Sequence, residues 1–565
     1  MSTPEASPSS PPDTTPESSS NSVDEVEDEE IKYMGHLKFS VVFFALCLSV
    51  FQVALDEVIV ATALPTITDD FNSLSDVGWY GSAYLFTDCS FQLLFGKLYS
   101  ISSVKLVYLT ALAIFEIGSI VCATAPNSAA FIVGRAIAGL GAGGILSGVL
   151  TILSNSVPRS KIAPFNGIFG AVNGAAFIAG PLVGGGIISG TTWRWIFWMN
   201  PILSAPTFIF VIFLIHHLKP PPKSSLKNKL ATLDLPAFAI FLASIICLLL
   251  ALQWGGGEYS WRNAHIITLF ILFGLLMGVF VLMEMRNKEE ALVPLKIITQ
   301  RSIAFGMLFS FCTSGAGFTL EYYLPIWLQA VKNLSVIASA VRLLPIIIAA
   351  IVCTLGSGIL TPIIGYYVPF MLAATVCMSL GLGLLSSMHY DDPMSYVLGY
   401  QVPAGVGLGF ALQQTVLAAQ TILPLAQIPI GVSLMVLAQT LGGTIALSAA
   451  DTIFTTSLSS SLAESVPQVN QATVLSSGAT NLQKLVPADS LNEVLKLYNQ
   501  AVVKTWYLSL ALACASIIGT AGIEWMRMKP AQEGGKDSGE GLQADNGEVK
   551  DREEEDAEKA PDPHS

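Results

Sequence analysis

The sequence predicts an all-α membrane protein that crosses a bilayer many times, on three observations. Of its 565 residues 52% are apolar and 12% charged, with a mean hydropathy of +0.61, whereas a soluble domain carries roughly a quarter charged residues. Apolar runs of about 20 residues, each long enough to cross a hydrocarbon core as a helix, recur from residue 36 onward. Lysine and arginine fall on alternate loops, the asymmetry that sets the orientation of membrane helices.

Taken in order, residues 1–35 are Pro/Ser-rich and then acidic. They lack the basic lead of a cleaved signal peptide, so they predict a disordered tail and make the first apolar helix a signal anchor. Spans follow near 38–64, 77–96, 105–125, 129–153, 162–188, 195–216, 234–253, 265–284, 302–325, 337–357, 367–387, 395–418, 430–456 and 503–526. With a cytoplasmic N-terminus, one side collects Lys97, Lys105, Arg159, Lys161, Lys219, Lys223, Lys227, Lys229, Arg286, Lys288, Lys296, Arg301, Arg527 and Lys529. The opposite short loops hold Arg194, Arg262 and Lys332, which predicts that both termini are cytoplasmic. Residues 219–229 read as a basic, Pro-rich link. Residues 457–502, with Lys484, Lys496 and Lys504 near their end, read as a polar outer loop with a short amphipathic helix near 490–503. Residues 527–565 read as an acidic disordered tail.

The net charge of −13 comes mainly from the two tails, and there is no basic footprint for nucleic acid. The eight cysteines (Cys47, Cys89, Cys122, Cys247, Cys312, Cys353, Cys377, Cys514) all fall in apolar runs without a CxxC pair, so they read as free buried thiols. Neither GxxxxGK[ST] nor HExxH occurs. The chain therefore predicts no enzyme, no metal, no cofactor and no nucleotide-driven pump; uphill transport would draw on an ion gradient.

Ionisable groups inside spans are costly and mark functional positions. They are Asp56, Glu57, Asp88, Glu116, Arg135, Glu321, Arg342 and Asp451. Depth pairs two of them. Asp56 lies roughly 7 Å and Arg135 roughly 9 Å from the centres of their helices, at 1.5 Å per residue and toward the same side. An opposite charge and a dry site act in opposite directions on a carboxyl, so such a pair suits proton coupling; a plain packing role for it stays open. Glu57 and Glu116 join it as coupling or gating candidates. Asp88, Gln92, Asn173, Glu321, Gln329, Gln413 and Gln439 are candidates for a substrate cavity, with Gln414 beside them.

Glycines four apart (Gly139 and Gly143, Gly170 and Gly174, Gly180 and Gly184) let helix backbones approach closely, and Pro181 favours a bend. A faint repeat aligns Gly139, Gly141 and Gly143 with Gly405, Gly407 and Gly409, and Arg135 with Gln401. Duplicated halves around a central site are a common transporter plan.

These residues resemble a known family. The run Leu55-Asp56-Glu57-Val58-Ile59-Val60 through Ala63-Leu64-Pro65 resembles the first-helix signature of drug:proton antiporters of the major facilitator superfamily. Gly96-Lys97-Leu98-Tyr99 resembles its loop 2–3 motif, Gly134-Arg135 with Gly139 its helix 4 motif, and Gly180-Pro181-Leu182-Val183-Gly184-Gly185 its antiporter motif. Trp193-Arg194-Trp195-Ile196-Phe197, Ala251-Leu252-Gln253-Trp254-Gly255-Gly256 and Tyr322-Tyr323-Leu324-Pro325-Ile326-Trp327 are similar to the fourteen-helix branch, in particular to fungal efflux pumps for toxins and secondary metabolites. One departure stands out: Ser100, Ile101 and Ser103 occupy the charged and glycine positions of the loop 2–3 motif, with Lys105 retained, which leaves Lys97 and Lys105 without that loop's usual charge lock.

The resemblance implies two six-helix bundles, 36–217 and 301–526, with linker helices 7 and 8 in 218–300. It implies proton-driven export of a small amphipathic molecule by alternating access, a monomer in the plasma membrane, and coupling through Asp56 and Arg135. Gly96, Lys97, Lys105, Gly180, Pro181, Gly184 and Gly185 would serve gating and packing. Uptake of a nutrient such as a basic amino acid or siderophore, at the plasma or a vacuolar membrane, and a non-transporting sensor remain alternatives.

Overall fold

The computed structural model describes residues 35–71, 73, 76–215, 233–256, 259–287, 291–467, 474 and 486–527. The expected tails, the basic link at 219–229, Lys288, Lys484 and Lys529 lie outside the described residues.

The long helices are α1 (His36–Phe71), α2 (Val77–Ile101), α3 (Val104–Thr124), α4 (Ser128–Ser156), α5 (Arg159–Gly190), α6 (Arg194–Leu214), α7 (Leu235–Trp254) and α8 (Ala264–Asn287). After the short α9 (Leu295–Ile298) come α10 (Arg301–Ala330), the short α11 (Val336–Arg342), α12 (Leu344–Ile364), α13 (Val368–Ser386), α14 (Met394–Ala411), α15 (Gln414–Ile422), α16 (Ile428–Ser465) and α17 (Ala488–Gly522). Among the described residues thirteen stretches are long and apolar enough to cross a membrane, α14 and α15 counting as one. The 25-residue α2 is a fourteenth helix of crossing length. Its hydropathy is low because Asp88, Ser90, Gln92 and Lys97 are buried on it, not turned to lipid. It packs among α1, α3, α4, α7 and α16. The reverse holds for α8, where Ile271, Leu275 and Leu282 are exposed, as expected of a lipid-facing helix.

Three expectations about the elements are corrected. The span placed at 337–357 begins later, at Leu344, because Pro345 opens a new helix after the short α11. Both described ends of the outer loop expected over 457–502 are helical, with α16 running to Ser465 and α17 starting at Ala488. Amphipathic helix and last span are thus one 35-residue helix. Its first turns are held inward by Val494, Tyr498 and Val502, and by Trp327 Nε1 donating to Asn499 Oδ1 at 2.6 Å. Cys514 is exposed on the same helix, although all eight cysteines are free.

The packing is duplicated. In the first half α4 packs on α2 and α3, while α1 packs on α5 and α6, and α3 on α6. In the second, α14 packs on α12 and α13, while α10 packs on α16 and α17, and α13 on α17. The glycines of the repeat show why. Gly139 and Gly143 meet α2 at Tyr84 and Asp88, while Gly141 meets α3 at Phe115. Gly405 and Gly409 meet α12 at Ile346 and Ala350, while Gly407 meets α13 at Met378. The halves then meet through matching pairs, α2 on α16 and α5 on α12. The linker helices α7 and α8 pack on each other, with α7 against α2 and α16.

Candidate functional site

The centre of the first half is a charge pair sealed from solvent. Asp56 on α1 and Arg135 on α4 are each 1% exposed, and Arg135 Nη1 donates to Asp56 Oδ2 at 2.5 Å. Arg135 is held from two further sides. Its Nε donates to the Tyr80 carbonyl at 3.0 Å, and its guanidinium lies 4.4 Å from the centre of the Tyr84 ring. The second carboxylate oxygen, Asp56 Oδ1, accepts from Asn200 Nδ2 at 2.9 Å, and that amide also donates to Ser119 Oγ at 3.0 Å. Glycines set the neighbours of both helices that supply the pair: Gly139 brings α4 against the Tyr84 backbone of α2, and Gly180 and Gly184 bring α5 to Val58 and Ile59 of α1.

Glu116 does not reach Arg135. Gln52 Nε2 donates to its Oε1 at 2.6 Å and to the Asn200 carbonyl at 3.0 Å, so Glu116 joins the pair indirectly, through Asn200. Gln52, Ser119 and Asn200 are the members of this network that the sequence did not single out. Gln52 stands one helical turn before Asp56, and Asn200 precedes Pro201 inside a span.

The cavity candidates divide. Glu57 and Glu321 are half-buried, and Glu57 lies within electrostatic range of both Asp88 and Glu321, which brings α1, α2 and α10 to one region. Gln439 Nε2 reaches the Leu412 carbonyl at 3.5 Å, where the helix breaks between α14 and α15. Gln413 lies in that break, its Oε1 buried without a partner, with its Cγ 3.5 Å from where a β-carbon on Gly170 of α5 would be. Gln92, by contrast, is fully buried between α2 and α4 and donates to Ser147 Oγ at 2.8 Å. Asn173 is half-buried on α5. Gln329 is half-buried, and its Nε2 donates to Ser339 Oγ on the short α11 at 3.1 Å, which braces that turn.

One end of the molecule, the end that carries His36, is fastened between the halves. Arg159 at the start of α5 donates to the carbonyls of Thr421 and Leu423 at 3.0 and 3.1 Å, satisfying the C-terminal carbonyls of α15. Asn166 Nδ2 donates to Gln420 Oε1 at 2.6 Å, and Gln420 Nε2 reaches Ser154 Oγ at 3.1 Å and the Leu150 carbonyl at 3.3 Å. Ser433 Oγ donates to Ser147 Oγ at 3.2 Å, beside Gly96, whose missing β-carbon lets α2 approach α16. Lys97 is buried and donates to the Ala291 carbonyl at 2.6 Å, and Lys105 donates to the Ile212 carbonyl at 2.6 Å. Gly185 of the antiporter motif would meet nothing within 4 Å, so its packing role is not seen.

Duplicated helix packing around a buried charge pair defines a multi-pass helical membrane protein of the transporter kind. The chain belongs to the Major Facilitator Superfamily, whose profile matches residues 46–447. It is 65% identical over 507 residues to the MFS efflux transporter inpD of Emericella nidulans, covering 89% of this chain and 94% of that protein. It is 44% identical over 488 residues to the efflux pump roqT of Penicillium rubens (86% and 90% covered) and 40% identical over 507 residues to the efflux pump aflT of Aspergillus parasiticus (89% and 98%). Among solved structures it shares its fold with the human organic anion transporter MFSD10, with a TM-score of 0.54 at 12% identity over 84% of this chain and 99% of that one. A bacterial homologue of the lysosomal transporter Spinster matches with a TM-score of 0.52 at 14% identity, over 88% and 100%.

Proposed function

We propose that this transporter exports a small amphipathic molecule in exchange for protons, with Asp56 and Arg135 as the coupling pair. The observation that carries the reading is the sealed Asp56–Arg135 pair, whose carboxylate accepts from Arg135 on one oxygen and Asn200 on the other. A proton arriving at Asp56 removes the charge that holds Arg135 and leaves the guanidinium to Tyr80 and Tyr84. That changes how α1 and α4 are tied, which is the local event a rocking motion between halves requires. The relatives named as efflux pumps support the outward direction.

In this reading the His36 end is cytoplasmic, both termini are inside, and the fastened His36 end is the closed inner gate of an outward-facing state. Residues 36–217 and 301–526 move as the two bodies. Glu57, Asp88, Glu321, Gln413 and Gln439 face the substrate path between them. The protein acts as a monomer in the plasma membrane, since one chain supplies both halves.

The direction is tested in sealed inside-out vesicles from cells expressing the protein. The vesicles are acidified inside and offered a small-molecule extract of the organism that carries the gene, with uptake read by mass spectrometry. At least one component accumulates, and a protonophore abolishes it. Accumulation that ignores the protonophore would sink proton coupling, and accumulation only in right-side-out vesicles would sink export.

A further inference from the structure

Asp88 and Gln92 stand one turn apart on the same face of α2, at 7% and 1% exposure. Asp88 Oδ1 and Gln92 Oε1 each lack a hydrogen-bond partner. Both crowd the same notch on α4, where a β-carbon on Gly143 would lie 3.0 Å from the first oxygen and 3.1 Å from the second. Two buried acceptors therefore share one small space with no donor between them. A buried carboxylate without a counter-charge is unfavourable and is relieved when the group is neutralised.

No cation offers that relief. Arg135 is committed to Asp56. The group acting on Asp88 from α1 is Glu57, itself an acid, and its titratable neighbours on α2 are Tyr84 and Cys89. Among the described residues α3, α4, α7 and α16 bring no charged side chain into its range.

From Gln92 a chain of hydrogen bonds leads to the contact between the halves. Gln92 Nε2 donates to Ser147 Oγ at 2.8 Å, Ser147 donates to the Gly143 carbonyl at 3.0 Å, and Ser433 of α16 donates to Ser147 Oγ at 3.2 Å.

We propose that Asp88 is a second proton-binding site, whose proton bridges to Gln92 Oε1 and fixes the polarity of the Gln92–Ser147–Ser433 chain across the two halves. The inference rests on the proton-coupled reading above and deepens it. With its proton, Asp88 donates to Gln92 Oε1 and turns Nε2 toward Ser147. Without it, the carboxylate attracts Nε2 and repels Oε1, so the amide turns over. Ser147 must then donate to Gln92, which takes its hydrogen from the Gly143 carbonyl and loosens that turn of α4 at its contact with Ser433 of α16.

The test is a pH titration of the full chain reconstituted in liposomes, with protons as the only ligand, read by infrared difference spectroscopy of protonated carboxyl groups. Wild type shows a carboxyl band that disappears at alkaline pH. Asp88→Asn removes that band, Asp56→Asn retains it, and Gln92→Leu moves it to the frequency of a carboxyl that donates to nothing. Hydrogen–deuterium exchange over 143–153 and 429–436, corrected for intrinsic rates, rises with pH in wild type and is flat in Asp88→Asn. Superimposable wild-type and Asp88→Asn spectra overturn the proposal, as does a band that Asp88→Asn removes but pH does not. Neither measurement needs transport, so a failure of gradient-driven export bears on the proposed function alone.

Discussion

At the residue scale, the Asp56–Arg135 pair also holds the first half together. Removing one partner strands the other in a dry site, at a cost of about 3–5 kcal/mol. Arg135→Leu is expected to lower the melting temperature in detergent more than Asp56→Asn, because it also removes the bond to the Tyr80 carbonyl and the contact with the Tyr84 ring, whereas Asn keeps an acceptor for Arg135. Equal melting temperatures would show that those contacts carry little. A second ion pair, outside the membrane span, behaves differently. Asp70 accepts from Arg194 Nη1 at 2.8 Å and Trp193 Nε1 at 3.1 Å. The Arg194 hydrogen bond, then that of Trp193, holds its carboxyl below the usual range. The sign follows: a depressed carboxyl contributes stability above its unfolded value and loses it as pH falls through the folded one. Because both side chains are solvated, the contribution is screened. Asp70→Asn should leave stability at neutral pH nearly unchanged and flatten only the acid limb of a pH–melting curve; a large loss at neutral pH would contradict this.

Asp56 and Arg135 were legible because a charge in an apolar run demands a partner, and helix depth alone brought them together. Gln52, Ser119 and Asn200 were not, because a neutral polar side chain carries too small an insertion penalty to stand out. The bond from Gln329 to Ser339 was hidden for the same reason: nothing in its run shows that the neighbouring turn uses it.

At the element scale, glycine placement decides how close the helices come. A β-carbon on Gly141 would stand 2.7 Å from Phe115 Cα and one on Gly407 2.7 Å from Met378 Cα, both backbone atoms that cannot swing aside. Gly141→Val and Gly407→Val should each cost at least the roughly 1–3 kcal/mol of an overpacked core, while Gly185→Val, with nothing within 4 Å, is expected to be near neutral. Size-exclusion recovery and thermal melting check the set; a destabilised Gly185→Val would contradict the packing described. Small residues four apart made these contacts readable in sequence. The long ends of α16 and α17 were not readable, because Ser- and Thr-rich turns such as 455–461 score as loop by hydropathy although the helix simply continues past the apolar stretch.

At the scale of the whole molecule, the aligned glycines of α4 and α14 pointed to duplicated halves, and the matching helix pairs carry that duplication through the fold. Which helices join the halves was hidden, since α2 meeting α16 and α5 meeting α12 leaves no periodic mark in the chain. So was Gln420, a neutral side chain that binds Asn166, Ser154 and Leu150 across the halves. At about 0.5–1.5 kcal/mol per hydrogen bond, Gln420→Leu, which removes three, should shift the proposed gate equilibrium by at least roughly tenfold toward an open His36 end. In a cysteine-free background, maleimide labelling of Ala163→Cys at that interface should accelerate accordingly; an unchanged rate would mean the side chains merely fill space.

The most direct test of the proposed coupling pair compares two fluxes in one preparation, using vesicles loaded with whichever extract component wild type accumulates. Asp56→Asn is expected to lose pH-gradient-driven accumulation and to retain energy-independent exchange of the same compound. Gradient-driven accumulation at the wild-type level in that variant would contradict the proposed coupling.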